Sequence, residues 1–422
     1  MMTERRYFKL SDQPTTEKKK TGKRIKIVRF LRIVALFLAV IVVLSIILSL
    51  LFPSVRLWFK KVFAWLRRVL NLDNVVRFFR YMGLRNKTGY GSVTFDAGSS
   101  NGYAAFGGGL LVSNEGGMVL YDLEGEQKAV IQASLPTPIL LSGSEISLCY
   151  SPGSSCMIAM DDDGKPVLDQ AQTGEILDAD VTDDGCIAYL MTQTGYKSVA
   201  TVLNQNQEPM FRFSSRTRYL NVCSISEGGE KLAVATLGEE NSLFCSGVAI
   251  FRTDRAVSDL NDPDSSVVQV NLGNQIIYDL EFLDSTHLCA IGQNELIFLD
   301  TDGTLLERVS LSEKTIVDYA FSSDGYCAFV FENQISGMNQ SLVTFDEEGQ
   351  ILGELRPAET ILDISANEKY VTMLTGRELQ IYNQNLNLYY QTSDVNEAIS
   401  VCARDDGTAL LISYSSAKLF IP

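Results

Sequence analysis

Apolar and polar positions divide this chain at one place. Residues Ile33 to Phe52 make 20 positions without a charge, and Ser45 and Ser49 are the only polar side chains among them. At 1.5 Å rise per residue the run spans a bilayer's hydrocarbon core, and it has no polar face for a soluble helix to turn to water. The pattern predicts a transmembrane helix over 33–52. A signal peptide's apolar stretch is shorter and ends at small residues. This one ends in Leu50-Leu51-Phe52-Pro53 and reads as an uncleaved signal anchor. Next, Val55, Trp58, Phe59, Val62, Phe63, Leu66, Val69 and Leu70 recur at helical spacing, with basic residues at other positions. That is the composition of a helix within 53–88 lying in the head-group region, with Trp58, Phe59, Lys60, Lys61, Trp65, Arg67 and Arg68 as its candidate interface residues. A helix packed on a partner's membrane span is the alternative.

Beyond residue 88 the period changes. A short apolar strand ending in a polar residue, then a tight turn, recurs eight times. Val119-Leu120-Tyr121-Asp122 runs into Gly125, Met157–Asp161 into Gly164, Leu296–Asp300 into Gly303, and Val343–Asp346 into Gly349. Ala200–Asn204, Val248–Arg252, Leu379–Asn383 and Lys418–Ile421 complete the series. The mean spacing of about 43 residues, with four strands in each unit, predicts an all-β domain over 89–422, an eight-bladed β-propeller with seven blades as the alternative. In the third unit the strands read Ile176–Val181, Cys186–Met191, Ser198–Leu203 and Pro209–Phe213; Asp183-Asp184-Gly185 joins the first to the second, as Ser323-Asp324-Gly325 and Asp405-Asp406-Gly407 do in other units, and Asp-Gly supplies the positive φ of such a hairpin. The chain stops after the third strand of the last unit, while Ser92–Ala97 is a strand surplus to the first. Pairing the two would close the ring and leave no open edge. Unit four carries insertions at Gly238–Gly247 and Thr253–Ser266; their Glu239, Glu240, Asn241, Asp254, Arg255, Asp259, Asp262 and Asp264 are candidate binding-loop residues.

Charge sharpens the division. Residues 1–87 carry 20 Lys+Arg and 4 Asp+Glu, whereas residues 88–422 carry 16 and 47, a net of −31. The basic part suits anionic lipid head groups, so lipid contact is expected through 33–80; the acidic part excludes nucleic acid as a partner of the large domain. The expected topology is single-pass, with a basic cytoplasmic tail over 1–32 and an extracytoplasmic propeller at the cell membrane.

Val93-Thr94-Phe95-Asp96-Ala97, Gly109-Leu110-Leu111-Val112 and Tyr121-Asp122 with Gly125 resemble the pattern of an uncharacterised family of bacterial membrane-anchored proteins. Asp254-Arg255-Ala256-Val257 and Glu281-Phe282-Leu283-Asp284 resemble it as well, and the likeness covers about 90–422. It implies one transmembrane helix and a quinoprotein-like, WD-like propeller. That family has no assigned activity, so no catalytic residue follows from it. More distantly, the propeller resembles the lipoprotein scaffold of outer-membrane protein assembly and the quinone-dependent alcohol dehydrogenases. The tryptophan-docking repeats of the dehydrogenases are absent, since no Trp lies beyond residue 65.

The candidate chemistry is sparse. His287 is the only histidine, at the start of a strand, and reads as a structural residue of a hairpin. The clusters Asp161-Asp162-Asp163, Asp178/Asp180/Asp183/Asp184, Asp259/Asp262/Asp264 and Asp300/Asp302 lack the spacing of a calcium loop, and most fall where repeat turns demand Asp and Gly. Gly107-Gly108-Gly109 lacks the Lys-Ser/Thr of a phosphate loop. Of eight cysteines, only Cys149 and Cys156 sit where a hairpin could pair them; equivalent positions in different blades are expected to lie too far apart to bridge. Catalytic residues, metal and cofactor are therefore expected to be none. The expected function is a noncatalytic platform for an unidentified protein partner at the cell envelope; the alternative is an envelope enzyme or a glycan- or ligand-sensing domain. A platform should show an exposed apolar or aromatic patch on a blade-loop face, and an enzyme should show carboxylates converging at the channel mouth.

Overall fold

Asx-capped turns set the frame. Asp122 Oδ1 accepts the backbone N–H groups of Glu124 and Glu126 at 2.8 and 2.9 Å, which frees Gly125 to take φ +83°. Asp346 does the same for Glu348 and Gln350 ahead of Gly349, and Asn383 for Asn385 and Asn387. Each such turn sends the third strand of a unit back as its outer strand.

The structure, a computed structural model, describes residues 77, 80, 81, 90–96, 101–169, 171–240, 242–257, 260, 267–333, 340–395 and 397–422. The tail, the 33–52 anchor and the interface residues Trp58 to Arg68 lie outside the described residues. Among the described residues, no helix is long and apolar enough to cross a membrane. Residues 81–422 form one compact unit.

Among the described residues of that unit 32 strands make eight four-stranded antiparallel sheets, so the eight-blade reading holds over the seven-blade one. Blades 1 to 7 each use four consecutive strands from inner to outer. In blade 3 they are Ile176–Val181, Ile187–Met191, Ser198–Leu203 and Pro209–Ser215, within two residues of the sequence reading at every end. Blade 8 has Ser400–Ala403, Ala409–Ile412 and Ser416–Phe420, and its outer strand is Ser92–Thr94 from the other end of the domain. The register is Ser92 to Lys418, Val93 to Ala417 and Thr94 to Ser416. The surplus strand thus closes the ring, and Val93 is fully buried there.

Second and third strands are mostly buried because blades pack face to face: those of blade 3 are buried throughout, and Tyr326–Asn333 of blade 6 over its first six residues. Phe298 of blade 5 meets Phe345 of blade 6 with ring centroids 5.6 Å apart, in a cluster that also holds Phe329 and Phe331. Cys289 and Cys327 share this cluster, and burial first, then the neighbouring Cys327 thiol, pushes the Cys289 thiol well above its ordinary range. Equivalent cysteines of adjacent blades are therefore neighbours, closer than their sequence separation implied, because the second strands of adjacent blades face each other across the packed sheets. All eight cysteines are free, Cys149 and Cys156 included.

Antiparallel order places the connections at alternate ends. Outer-to-inner connections and second-to-third hairpins lie at one end, the mouth end. First-to-second and third-to-outer turns lie at the other, the turn end. Tyr81 is buried at the turn end, where its hydroxyl donates to Asp406 Oδ2 at 2.9 Å within the Arg404–Thr408 turn of blade 8.

Candidate functional site: the channel mouth

The inner strands bring together what the sequence scatters. Inner strands of neighbouring blades lie side by side, Ile176–Val181 against Tyr219–Ile225 and Ile361–Asn367 against Ser400–Ala403. In blades 3 to 7 each inner strand bulges within its first three pairs, between Ile176 and Asp178, Leu220 and Val222, Ile277 and Asp279, Ile316 and Asp318, and Ile361 and Asp363. A bulge turns one side chain out of the ladder. The residues so displaced are Leu177, Asn221, Tyr278, Val317 and Leu362; Tyr278, Val317 and Leu362 are exposed at 59%, 46% and 50%. Ile139, Tyr219, Ile276 and Ile399 are also exposed, at or just before inner-strand starts in blades 2, 4, 5 and 8. They make an apolar collar contributed by six of the eight blades.

One residue past the bulge stands a carboxylate in four blades: Asp178, Asp279, Asp318 and Asp363. Two residues further on are Asp180 and Glu281. Asp178 Oδ2 accepts the N–H of Cys223 at 2.8 Å, Asp318 Oδ2 that of Ile364 at 2.9 Å, and Asp363 Oδ2 that of Val401 at 2.7 Å. Asp180 Oδ2 accepts from Ile225 N–H at 2.8 Å. Ser224 and Ser365 play the same part for Phe282 and Ala403, both at 3.0 Å. Each bond runs from one blade's inner strand to the next, so these side chains latch consecutive blades. Asp279 accepts instead from the Tyr319 hydroxyl at 2.8 Å. Glu281 accepts no hydrogen bond from any described residue.

These carboxyls remain partly open to water, yet protein surrounds them, as a narrow axial channel requires. Burial pushes Asp178 up to about 7, against the hydrogen bonds from Cys223 and Tyr150, with Asp279 and Asp180 adding repulsion. Asp363 rises to about 6 for the same first reason. Burial, then Asp180, Asp279 and Asp178, pushes Glu281 well above the usual carboxylate range.

The sequence-predicted loops fall elsewhere. Lys231–Glu240 and Leu243–Arg252 form one long hairpin whose tip, with Glu239, reaches the mouth end and exposes Leu243 and Phe244. Asp254 and Arg255 are exposed at the turn end, where Asp254 pairs with Arg252 at 2.8 Å. The described parts of the two insertions therefore stand at opposite ends of blade 4. Asn241, Asp259, Asp262 and Asp264, and the side chain of Glu240, lie outside the described residues. His287 Nδ1 lies 2.8 Å from Asp284 Oδ2, and Asp284 Oδ1 accepts the N–H of His287 at 2.8 Å, which is the hairpin role expected. Asp161 and Asp300 accept backbone N–H groups within their own turns. Asp178 and Asp180 separate from Asp183 and Asp184, which lie at the turn end. Among the described residues, no group of three or more His, Cys, Asp or Glu is placed to hold a metal ion. Asp279, Glu281, Asp318 and Asp363 were missed; the recurring Ile-x-Asp at the first strand of a unit was the available signal.

A family model matches residues 84–417, nearly the whole propeller. The chain belongs to this family of unknown function, DUF5711. No match to it is found among the curated proteins. The DUF5711 propeller is similar to the C-terminal WD40 domain of Sif2, with a TM-score of 0.52 and 12% identity over 78% of this chain and 97% of that one. It is also similar to BamB from Moraxella catarrhalis (0.46 and 12%, over 79% and 97%) and to Hsv2 from Kluyveromyces lactis (0.44 and 12%, over 70% and 99%). At such identities the likeness is one of fold.

Proposed function

We propose that this DUF5711 chain is a membrane-anchored, extracytoplasmic propeller that holds a protein partner at the cell envelope without catalysing a reaction on it. The observation that carries the reading is the apolar collar. Large exposed side chains gathered on one face of a β-sheet protein are costly to leave in water and are typical of an interaction surface. The channel carboxylates that an enzyme would aim at a substrate are mostly engaged with N–H groups of the next blade, which favours an architectural role for them. The uncharged run at 33–52 and its basic flanks support the anchor, with lipid contact through 33–80, and the net charge of −31 over 88–422 supports a domain held off anionic surfaces.

The test is co-purification from native membranes. Full-length protein carrying Tyr278→Ser, Val317→Ser and Leu362→Ser should lose proteins that the wild type retains, while its propeller melts as before. An unchanged set of proteins with an intact fold rejects the collar as the contact surface.

A further inference from the structure

We propose that the collar and the channel behind it take a basic apolar peptide segment: aliphatic and aromatic side chains seat on Tyr278, Val317 and Leu362, and one Lys or Arg side chain passes inward to Glu281. This rests on the platform reading and names the chemistry of its partner. The inner strands carry six carboxylates, Asp178, Asp180, Asp279, Glu281, Asp318 and Asp363, against one cation, Lys314. Lys314 stands at the very start of its strand with its ammonium 5.1 Å from the Phe331 ring centroid. Lys197, also at the mouth end, donates to the Tyr219 hydroxyl at 3.1 Å. Five of the six carboxylates accept hydrogen bonds from N–H or hydroxyl groups, which position them. The Glu281 carboxyl accepts none from the described residues, and its electrostatic neighbours are Asp180, Asp279 and Asp178, then the Cys289 thiol.

Crowding of these acids around one channel makes it favourable for an entering cation to pair with them, and burial and mutual repulsion, which hold protons on Glu281 and Asp178 in the empty channel, are relieved as that cation arrives. Tyr278 precedes Glu281 by three residues, roughly 10 Å of strand at 3.3 Å per residue. Asp279 lies nearer still, so a long basic side chain descending from a residue seated on the collar meets Asp279 first and Glu281 at full extension. A neutral apolar segment would gain only the collar, and an acidic one would be repelled. Aliphatic anchors around one deeply placed cation are the pattern that both parts of the site complement.

The probe is a fluorescein-labelled Gly-Leu-Phe-Lys-Tyr-Leu-Gly peptide, titrated against the full-length protein in zwitterionic nanodiscs. Two controls replace Lys with Glu, or Leu, Phe and Tyr with Ser. The Lys peptide should bind at least about tenfold more tightly than either control, and added salt should weaken it. Glu281→Gln should lower its affinity about tenfold or more, whereas Glu348→Gln at the turn end should not change it. Equal binding of the Lys and Glu peptides, or wild-type affinity in Glu281→Gln, overturns the inference. If binding ignores charge yet falls in the Tyr278→Ser, Leu362→Ser protein, the collar is a general apolar platform and only the basic partner is rejected. If no peptide binds, the basic-segment inference fails, and membrane co-purification still decides the platform reading separately.

Discussion

The carboxyl of Asp178 touches two blades at once. Oδ2 accepts Cys223 N–H from blade 4, and Oδ1 accepts the Tyr150 hydroxyl of blade 2 at 2.8 Å. Burial keeps its proton on up to about pH 7 in the folded chain, against an ordinary value near 4 when unfolded. Between those limits the folded chain binds more protons, so stability falls as pH rises from about 4 to about 7 and levels off above. Asp178→Asn keeps the latch, since the amide oxygen accepts from Cys223 and the amide nitrogen donates to Tyr150. The variant should be more stable than the wild type at pH 8, by on the order of 2–3 kcal/mol, and nearly equal to it at pH 4. Thermal unfolding at the two pH values checks this, and a lower melting temperature for the variant at pH 8 refutes it. Asp363→Ala tests the latch itself. It strands the Val401 N–H between blades 7 and 8 and should cost about 1–3 kcal/mol in denaturant unfolding, whereas a neutral result would mean that water replaces the bond.

Turns and hairpins are the elements on which the blades depend. Gly349, at φ +85°, closes the third-to-outer turn of blade 6, and a Cβ there would stand 2.6 Å from the Phe298 ring of blade 5. Gly108, at φ +75° in blade 1, would meet nothing within 4 Å. Both alanine variants carry the left-handed backbone penalty of about 1–2 kcal/mol, and only Gly349→Ala adds a clash in a close-packed interior. Gly349→Ala should therefore lose about 1–3 kcal/mol more than Gly108→Ala in urea unfolding. Equal losses would show that the blade 5–6 contact yields freely. Gln207 and Leu386 occupy the same turn position in blades 3 and 7 at φ 63° and 54°, so the repeat tolerates that strain where the neighbouring blade leaves room. The Lys231–Arg252 hairpin extends the same element outward to the collar's end of the molecule, and the 253–266 insertion lengthens a turn at the other.

At the scale of the whole molecule, three residues hold the ring shut. Gly91 N–H donates to Leu123 O and Leu419 N–H to Gly91 O, both at 2.6 Å, so closure ties the outer edge of blade 8 to blade 1 as well. Val93→Pro should remove a ladder donor and misplace a fully buried side chain, costing about 3 kcal/mol or more and broadening the unfolding transition. A sharp calorimetric transition at the wild-type temperature would refute this account of closure. Topology is tested on intact cells: an extracytoplasmic propeller should be degraded by added protease, and protection until lysis would place it inside.

Period and punctuation in the sequence determined the repeat and pointed to the closing strand and to eight blades, with the sheet pairing deciding eight over seven. A propeller blade is a local object whose strands pair with their sequence neighbours, and Asp-x-x-Gly marks most of the turns where an Asx cap and a positive φ coincide, Asn204 to Gln207 and Asn383 to Leu386 being the exceptions. Ring closure was legible because one surplus strand and one missing strand are complementary facts about the same chain. Only the tertiary structure decided where function-bearing side chains meet. Tyr278, Val317 and Leu362 lie about 40 residues apart, look like ordinary core positions, and become a collar because a one-residue bulge turns each of them outward. Asp178, Asp279 and Glu281 converge for a similar reason: the ring brings inner strands from separate repeats around one axis, and strand alternation within a single repeat carries no trace of that axis. The insertions of blade 4 show the converse. Neighbours in sequence, they stand at opposite ends because an extra stretch before a strand and another after it are separated by that strand's full length.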